Sequence, residues 1–82
     1  MNQDLTGKTV VAAPNSLVEP YKSAPERDRC FFCVSKSSYG YEGFWCVDGT
    51  RGETASFLIE KVLDTTPAWV IDRYPRVKNL AR

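Results

Sequence analysis

The segment from Arg29 to Asp48 has the sequence RCFFCVSKSSYGYEGFWCVD. Its two ends, Arg29–Ser35 and Gly43–Asp48, are both rich in aromatic and β-branched residues, which favour an extended backbone. Between them, Lys36–Glu42 is polar and contains a glycine, as turns commonly do. The segment therefore predicts a β-hairpin.

A turn centred on Tyr39-Gly40 would set the register of this hairpin. The opposed pairs would then be Phe31 with Asp48, Cys33 with Cys46, and Ser35 with Phe44. Because side chains alternate along a strand, one face of the hairpin would carry a nearly continuous apolar set. We expect that face to be the core side, with Cys30, Phe32, Val34, Trp45 and Val47 on it.

The chain before the hairpin predicts one strand and one long loop. Lys8–Ala13 is short, contains β-branched residues and is stopped by Pro14, which is typical of a strand. Residues 1–7 are polar, and we expect a flexible lead-in there. Residues 14–28 contain three of the five prolines and predict a long loop.

The sequence after the hairpin is compatible with two alternative structures. Asp48-Gly49 is a second turn signal. Within residues 53–64, periodicity favours a helix, because apolar residues recur at helical spacing at Ala55, Leu58, Ile59 and Val62. The alternative is a strand over Gly52–Ser56, a 3₁₀ turn over Phe57–Ile59 and a returning strand over Glu60–Leu63.

The order of these features resembles small SH3-like barrels of the Tudor or KOW type. In those barrels an Asp-Gly turn commonly precedes a short strand, a 3₁₀ turn and a closing strand. The matching residues here are Gly43–Leu63, with Lys8–Ala13 as the opening strand. The resemblance implies a mainly β (or α+β) fold, a small SH3-like barrel of about five short antiparallel strands over residues 8–64. It favours the strand structure for residues 53–64 and transfers no functional residue.

Residues 65–82 are expected to form a C-terminal appendage. Thr66 as N-cap and Pro67 at the first helical position predict a helix from Ala68 to about Tyr74, and an extended strand over Ala68–Asp72 is the alternative. The last ten residues contain four basic side chains and no acidic one. This basic tail consists of Arg73, Arg76, Lys78 and Arg82.

Composition restricts the function. The 82 residues carry 11 Lys+Arg and 10 Asp+Glu, a net charge of +1, so no global field attracts polyanions. The chain lacks histidine, the commonest general base, and we expect neither catalysis nor a cofactor. No apolar run is long enough to span a bilayer, and Met1–Asp4 lacks the features of a signal peptide. The expected location is therefore the cytoplasm.

The three cysteines, Cys30, Cys33 and Cys46, permit several interpretations. A zinc site is disfavoured because side chains three apart on a strand point to opposite faces, and no fourth cysteine or histidine completes the ligand set. A Cys33–Cys46 disulfide fits the expected register but not a reducing compartment. We favour thiols that pack as small apolar groups, with no metal.

These observations favour a small non-catalytic binding module that acts through protein–protein contacts. Such a chain would be an adaptor, an inhibitor or a phage-type accessory protein, monomeric or homodimeric, with a protein partner of unknown identity and no membrane association. Exposed tyrosines suit protein interfaces, and the candidates are Tyr21, Tyr39 and Tyr41. The alternative is weak, salt-dependent binding of nucleic acid by the basic tail and exposed aromatic residues.

Overall fold

The computed structural model describes residues 4–63 and 66–75 of the chain. These residues form β1 (Thr9–Ala12), β2 (Cys30–Ser37), β3 (Gly40–Trp45), β4 (Arg51–Glu53), β5 (Ile59–Leu63) and the helix α1 (Ala68–Arg73). The strands pair antiparallel in a single sheet in the order β4-β3-β2-β1-β5. The predicted mainly β fold of about five short antiparallel strands followed by a helix is confirmed.

The predicted closure of the sheet into a barrel is wrong. The strand order makes β4 and β5 the two edges of the sheet, and no strand pairing joins them within residues 4–63. β4 is only three residues long, and a 3₁₀ turn at Thr54–Ser56 follows it directly. Since so little of β4 is extended, it offers a short edge for pairing and the sheet stays open.

β2 and β3 form the predicted hairpin, joined by the two-residue turn Ser38-Tyr39, but the predicted register is wrong. The turn lies one residue earlier than predicted, which moves the pairing by two residues, and a bulge between Cys33 and Ser35 moves it by one more. The observed partners differ from the predicted ones: Phe31 faces Trp45 and not Asp48, Cys33 faces Gly43 and not Cys46, and Ser35 faces Glu42 and not Phe44.

The centre of the sheet, formed by β1 and the first half of β2, is buried on both faces, whereas the sequence predicted a core on one. The first cluster contains Leu5, Val10, Ala12, Phe31, Cys33 and Phe57. The second cluster contains Val11, Cys30, Phe32, Cys46 and Val70. Trp45 packs in the first cluster, 5.2 Å from Phe31 between ring centroids, and not on the face of Phe32 as predicted. The changed register turns this side chain to the other face.

Residues 51–63 take the strand–turn–strand structure, so the helical alternative is wrong. The 3₁₀ turn covers Thr54–Ser56, three residues earlier than predicted. Thr54 is buried, and its Oγ1 accepts a hydrogen bond of 3.0 Å from the N–H of Tyr41. This bond ties the turn to the hairpin, and Phe57 then enters the first cluster, with its ring 4.9 Å from that of Trp45.

α1 covers the second face of the sheet, which confirms the predicted helix over the extended alternative. Val70 is fully buried there, and the ring of Tyr74 lies 5.2 Å from that of Phe44. The N-cap of the helix is Pro67 and not Thr66, and Ala68 is its first residue: the N–H groups of Val70 and Ile71 both donate to the Pro67 carbonyl, and no side chain caps this end.

The loop between β1 and β2 is anchored at its end by Arg29. The loop contains 3₁₀ turns at Pro14–Ser16, Tyr21–Ser23 and Glu26–Arg29. The buried Arg29 side chain donates to the carbonyl oxygens of Ala12 and Ala24 at 3.0 and 2.7 Å, and to the carboxylate of Glu60 at 3.2 Å. These bonds connect the loop to β1 and β5.

Residues before β1 already pack against the core, although the sequence predicted a flexible lead-in there. Leu5 is buried in the first cluster, and the N–H of Gly7 donates to the carbonyl of Cys33 at 2.8 Å. An apolar side chain and a backbone hydrogen bond thus hold residues 5–7 against the core, within the segment where the sequence predicted a flexible lead-in. Residues 1–3 lie outside the described part of the chain.

Candidate functional site

The cysteines are buried thiols without a disulfide, as their interpretation as packed apolar groups requires. Burial raises the pKa of the Cys30 thiol to about 11 and the pKa of the Cys33 and Cys46 thiols to about 12. Cys33 and Cys46 belong to different clusters on opposite faces of the sheet, so the pairing of these two is wrong. Within the described ranges, no group of three or more His, Cys, Asp or Glu side chains could hold a metal ion. Protonated thiols of this kind are poor nucleophiles.

The two tyrosines of the hairpin differ in exposure. Tyr39, in the turn, is 85% exposed. Tyr41, two residues later on β3, is half-buried against the first cluster, and its side chain contributes to the lowered pKa of Asp4, after the larger effect of hydrogen bonds from Thr6. Tyr39 is therefore free to contact a partner, whereas the exposure that we expected for Tyr41 is not found.

Tyr21 lies in a different part of the molecule, in the loop between β1 and β2, and hydrogen bonds join this loop to the segment at the start of β5. Exposed apolar side chains occur on both segments: Val18 is 76% exposed and Leu58 is 67% exposed, while Tyr21 and Ile59 are less so. We call Val18, Tyr21, Leu58 and Ile59 the loop patch. Sequence reasoning selected only the tyrosine, and it missed Leu58 and Ile59 because they belong to a segment that is distant along the chain.

Hydrogen bonds bring these two segments together. The N–H of Leu58 donates to Oγ of Ser16 at 3.0 Å, and the N–H of Ala13 donates to the carbonyl of Leu58 at 2.8 Å. Leu17 packs against the first cluster, and the next residue, Val18, is exposed. The N–H of Lys22 donates to the carbonyl of Val18 at 3.0 Å, which closes the turn that carries Tyr21.

The structure does not bring Tyr21 and Tyr39 together. The loop that carries Tyr21 is bonded to the end of β1 and the start of β5, beside the first residue of β2. Tyr39 is the second residue after the end of β2, and an eight-residue strand spans about 25 Å. In the part of the chain that the structure describes, no hydrogen bond or ring contact joins these two tyrosines. The predicted contact surface is therefore divided in two.

The basic tail lies mostly outside the described residues. Arg76, Lys78 and Arg82 are in this undescribed segment. Arg73, at the end of α1, places its guanidinium 5.9 Å from the ring centroid of Tyr74. The structure thus gives one exposed cation at the start of the tail.

A groove that sequence reasoning missed lies where β2, β3 and β4 run side by side. It has a volume of about 320 Å³ and is lined by Val34, Glu42, Gly43, Phe44, Arg51, Gly52 and Glu53. Glu42 lies directly opposite Glu53, and Phe44 lies opposite Arg51. The groove was missed because the pairing of β3 with β4 depends on the length of the connecting loop, although Asp48-Gly49 correctly indicated a turn there.

None of the helices among the described residues is long and apolar enough to cross a membrane. The comparisons with known proteins identify no relative. No family model, no curated protein and no solved structure matches the chain. Its function must therefore be inferred from its own surfaces.

Proposed function

We propose that the chain is a small non-catalytic protein-binding module of the cytoplasm, and that the loop patch is its main contact surface. The observation that carries the proposal is the exposure of Val18 and Leu58 on two segments that specific hydrogen bonds join. Exposed apolar patches on small proteins mark interaction sites, because burying such side chains against a partner is favourable.

The construction of the loop patch supports this function. Arg29 connects the loop to β1 and β5 through three hydrogen bonds. Ser16 joins the loop to Leu58. A surface that is ordered before binding loses less conformational entropy when a partner binds. Tyr21 at its margin adds an aromatic ring of the type that is common at interfaces.

The experiment is affinity capture by the full chain from cells of the organism that encodes it, with captured proteins quantified for three variants. Leu58→Asp and Val18→Asp place a charge within the loop patch, and Ser38→Asp places the same charge in the hairpin turn. Each buried apolar side chain is worth about 1.5–3 kcal/mol. We therefore expect Leu58→Asp to capture at least tenfold less of each partner than Ser38→Asp captures.

Thermal melting of all three variants provides the folding control, because the substituted side chains are exposed. Equal capture by Leu58→Asp and Ser38→Asp would exclude the loop patch as the main contact surface. Capture of nucleic acid that collapses between low and moderate salt, and that requires residues 73–82, would favour the nucleic-acid alternative instead.

A further inference from the structure

The groove beside β4 combines apolar and charged groups in an unusual way. Val34 and Phe44 give it an apolar lining, and two glycines bring backbone to its surface. The ring of Phe44 is fixed on one side by Phe32, at 5.5 Å between centroids, and on another by Tyr74, at 5.2 Å. The apolar surface of the groove is thus held in place by the second cluster and α1.

Two carboxylates of the groove lie directly opposite each other, Glu42 on β3 and Glu53 on β4. The N–H of Trp45 donates to the carbonyl of Thr50 at 2.8 Å, and bonded and non-bonded pairs alternate along an antiparallel ladder. Glu42 and Glu53 therefore form a non-hydrogen-bonded pair, in which side chains are closest. Like charges at such a position destabilise a sheet.

Neither carboxylate of this pair forms an ion pair within the part of the chain that the structure describes. The two ion pairs found there join Arg29 to Glu60 and Lys61 to Glu26. Arg51 lines the same groove, opposite Phe44, and forms neither of these ion pairs. With two carboxylates and one guanidinium, the groove carries an excess negative charge next to an apolar surface.

This arrangement selects one kind of occupant. A bare metal ion would require at least one more oxygen or sulfur ligand, and the described residues offer no such group of three. Phosphate groups would be repelled by the carboxylates. A lysine or arginine side chain fits both features, because its methylene stem can lie on Phe44 and Val34 while its charged end reaches Glu42 and Glu53.

We propose that this groove binds a lysine or arginine side chain from a basic segment of a partner protein. The groove shares no residue with the loop patch, so this second contact does not rest on the function proposed for that patch. A partner that uses both would contact the chain with an apolar surface and a separate basic residue.

The test is an NMR titration of the full-length ¹⁵N-labelled chain with three short Gly/Ser peptides that differ only at a central position. That position carries lysine, norleucine or glutamate. The comparison separates the contribution of the aliphatic part of the lysine side chain from the contribution of its positive charge. We expect saturable shifts of the backbone amides of residues 42–44 and 51–53 with the lysine peptide. The norleucine and glutamate peptides should bind at least tenfold more weakly.

The matched variants are Glu42→Gln with Glu53→Gln in the groove, and Glu19→Gln with Asp72→Asn on exposed sites elsewhere. Both remove two negative charges, and we expect only the first to raise the dissociation constant of the lysine peptide at least tenfold. The unfolding midpoint of the first variant should not fall, because the substitution removes a repulsion. Leu58→Asp should bind the lysine peptide like the unsubstituted chain, which separates this site from the loop patch.

Several outcomes would overturn the proposal. Equal binding by the two double variants, equal binding of the norleucine peptide, or shifts located elsewhere would show that the groove does not recognise the cation. If deletion of residues 76–82 shifted the groove amides without any peptide and raised the affinity for the lysine peptide, the occupant would be the chain's own terminus and not a partner.

Discussion

Arg29 is a charged residue whose side chain is mostly buried, with 11% of its surface exposed. Burial of a charge is costly unless hydrogen bonds and an opposite charge compensate for it. The guanidinium meets this condition with two backbone carbonyls, of Ala12 and Ala24, and the carboxylate of Glu60. A lysine has a single charged nitrogen and cannot reproduce the planar fork that reaches three acceptors in different directions.

We predict that Arg29→Lys and Arg29→Ala each lower the free energy of unfolding by about 2–4 kcal/mol, because both leave buried carbonyl groups unpaired. Glu60→Gln should cost less than about 1 kcal/mol, since this carboxylate is exposed and the pair is screened by solvent. Urea denaturation followed by circular dichroism measures all three values. An Arg29→Lys variant as stable as the unsubstituted chain would show that the bonds to Ala12 and Ala24 contribute little.

The thiols give the molecule a stability that depends on pH. An unperturbed thiol ionises near pH 9, whereas burial raises the pKa of Cys33 to about 12 in the fold. Between these values the unfolded chain has lost the proton and the folded chain has kept it, so stability falls as pH rises. The contribution is complete below about pH 9 and is lost as pH approaches 12.

We predict that the free energy of unfolding decreases from about pH 9 upward, and that Cys33→Ala makes this decrease shallower by at most about 1.4 kcal/mol per pH unit. Urea denaturation between pH 8 and 10.5 provides the slopes, and slopes are compared because the substitution also changes packing at neutral pH. The same slope in both proteins would mean that the Cys33 thiol is accessible to water. A thiol reagent at pH 8 should label the native protein far more slowly than the unfolded chain.

In the β2–β3 hairpin, strand formation follows from the nearby sequence, whereas the register between the strands does not. Aromatic and β-branched residues within residues 29–48 were sufficient to predict two strands, because extended backbone is favoured residue by residue. The register was not predictable in this way, since it depends on a bulge after Cys33 and a two-residue turn before Gly40. The groove was missed for the same reason: Glu42 and Glu53 become neighbours only through the pairing of β3 with β4.

Gly43 lies beside the bulge, opposite Cys33, where β3 passes close to the backbone of β2. A Cβ at this position would overlap the backbone carbonyl of Phe32, and no side-chain movement could relieve the overlap. Gly52, directly opposite on β4, is less restricted, because a Cβ there would lie 3.3 Å from the indole nitrogen of Trp45, which can move slightly. The two glycines are a matched pair on adjacent strands.

We predict that Gly43→Ala lowers the free energy of unfolding by about 2 kcal/mol or more, and that Gly52→Ala costs about 1 kcal/mol or less. The difference comes from backbone that must shift in the first case and a side chain that shifts in the second. Urea denaturation of both variants measures it. Equal costs would show that β2 and β3 do not approach as closely at Gly43 as the observed register requires.

At the scale of the whole molecule, the chain forms two apolar layers on opposite faces of one sheet. Cys30, Phe31, Phe32 and Cys33 are consecutive buried residues. A continuous apolar run of this kind is typical of a strand that is covered on both faces, and alternation is typical of a strand covered on one. The sequence thus contained a sign of the second layer. Its identity was not predictable, because the helix that covers the second face lies more than thirty residues further along the chain.

The second layer depends on how α1 packs against the sheet. Val70 of α1 is fully buried in the second cluster, and Ile71 beside it is half-buried. We predict that Val70→Ala lowers the free energy of unfolding by about 2 kcal/mol, because it leaves a cavity in a packed cluster, and that Ile71→Ala has a smaller effect despite removing a larger side chain. Denaturation in urea compares the two variants. If Ile71→Ala were the more destabilising, α1 would pack on the sheet through its other side, and the position of Tyr74 against Phe44 beside the groove would also need revision.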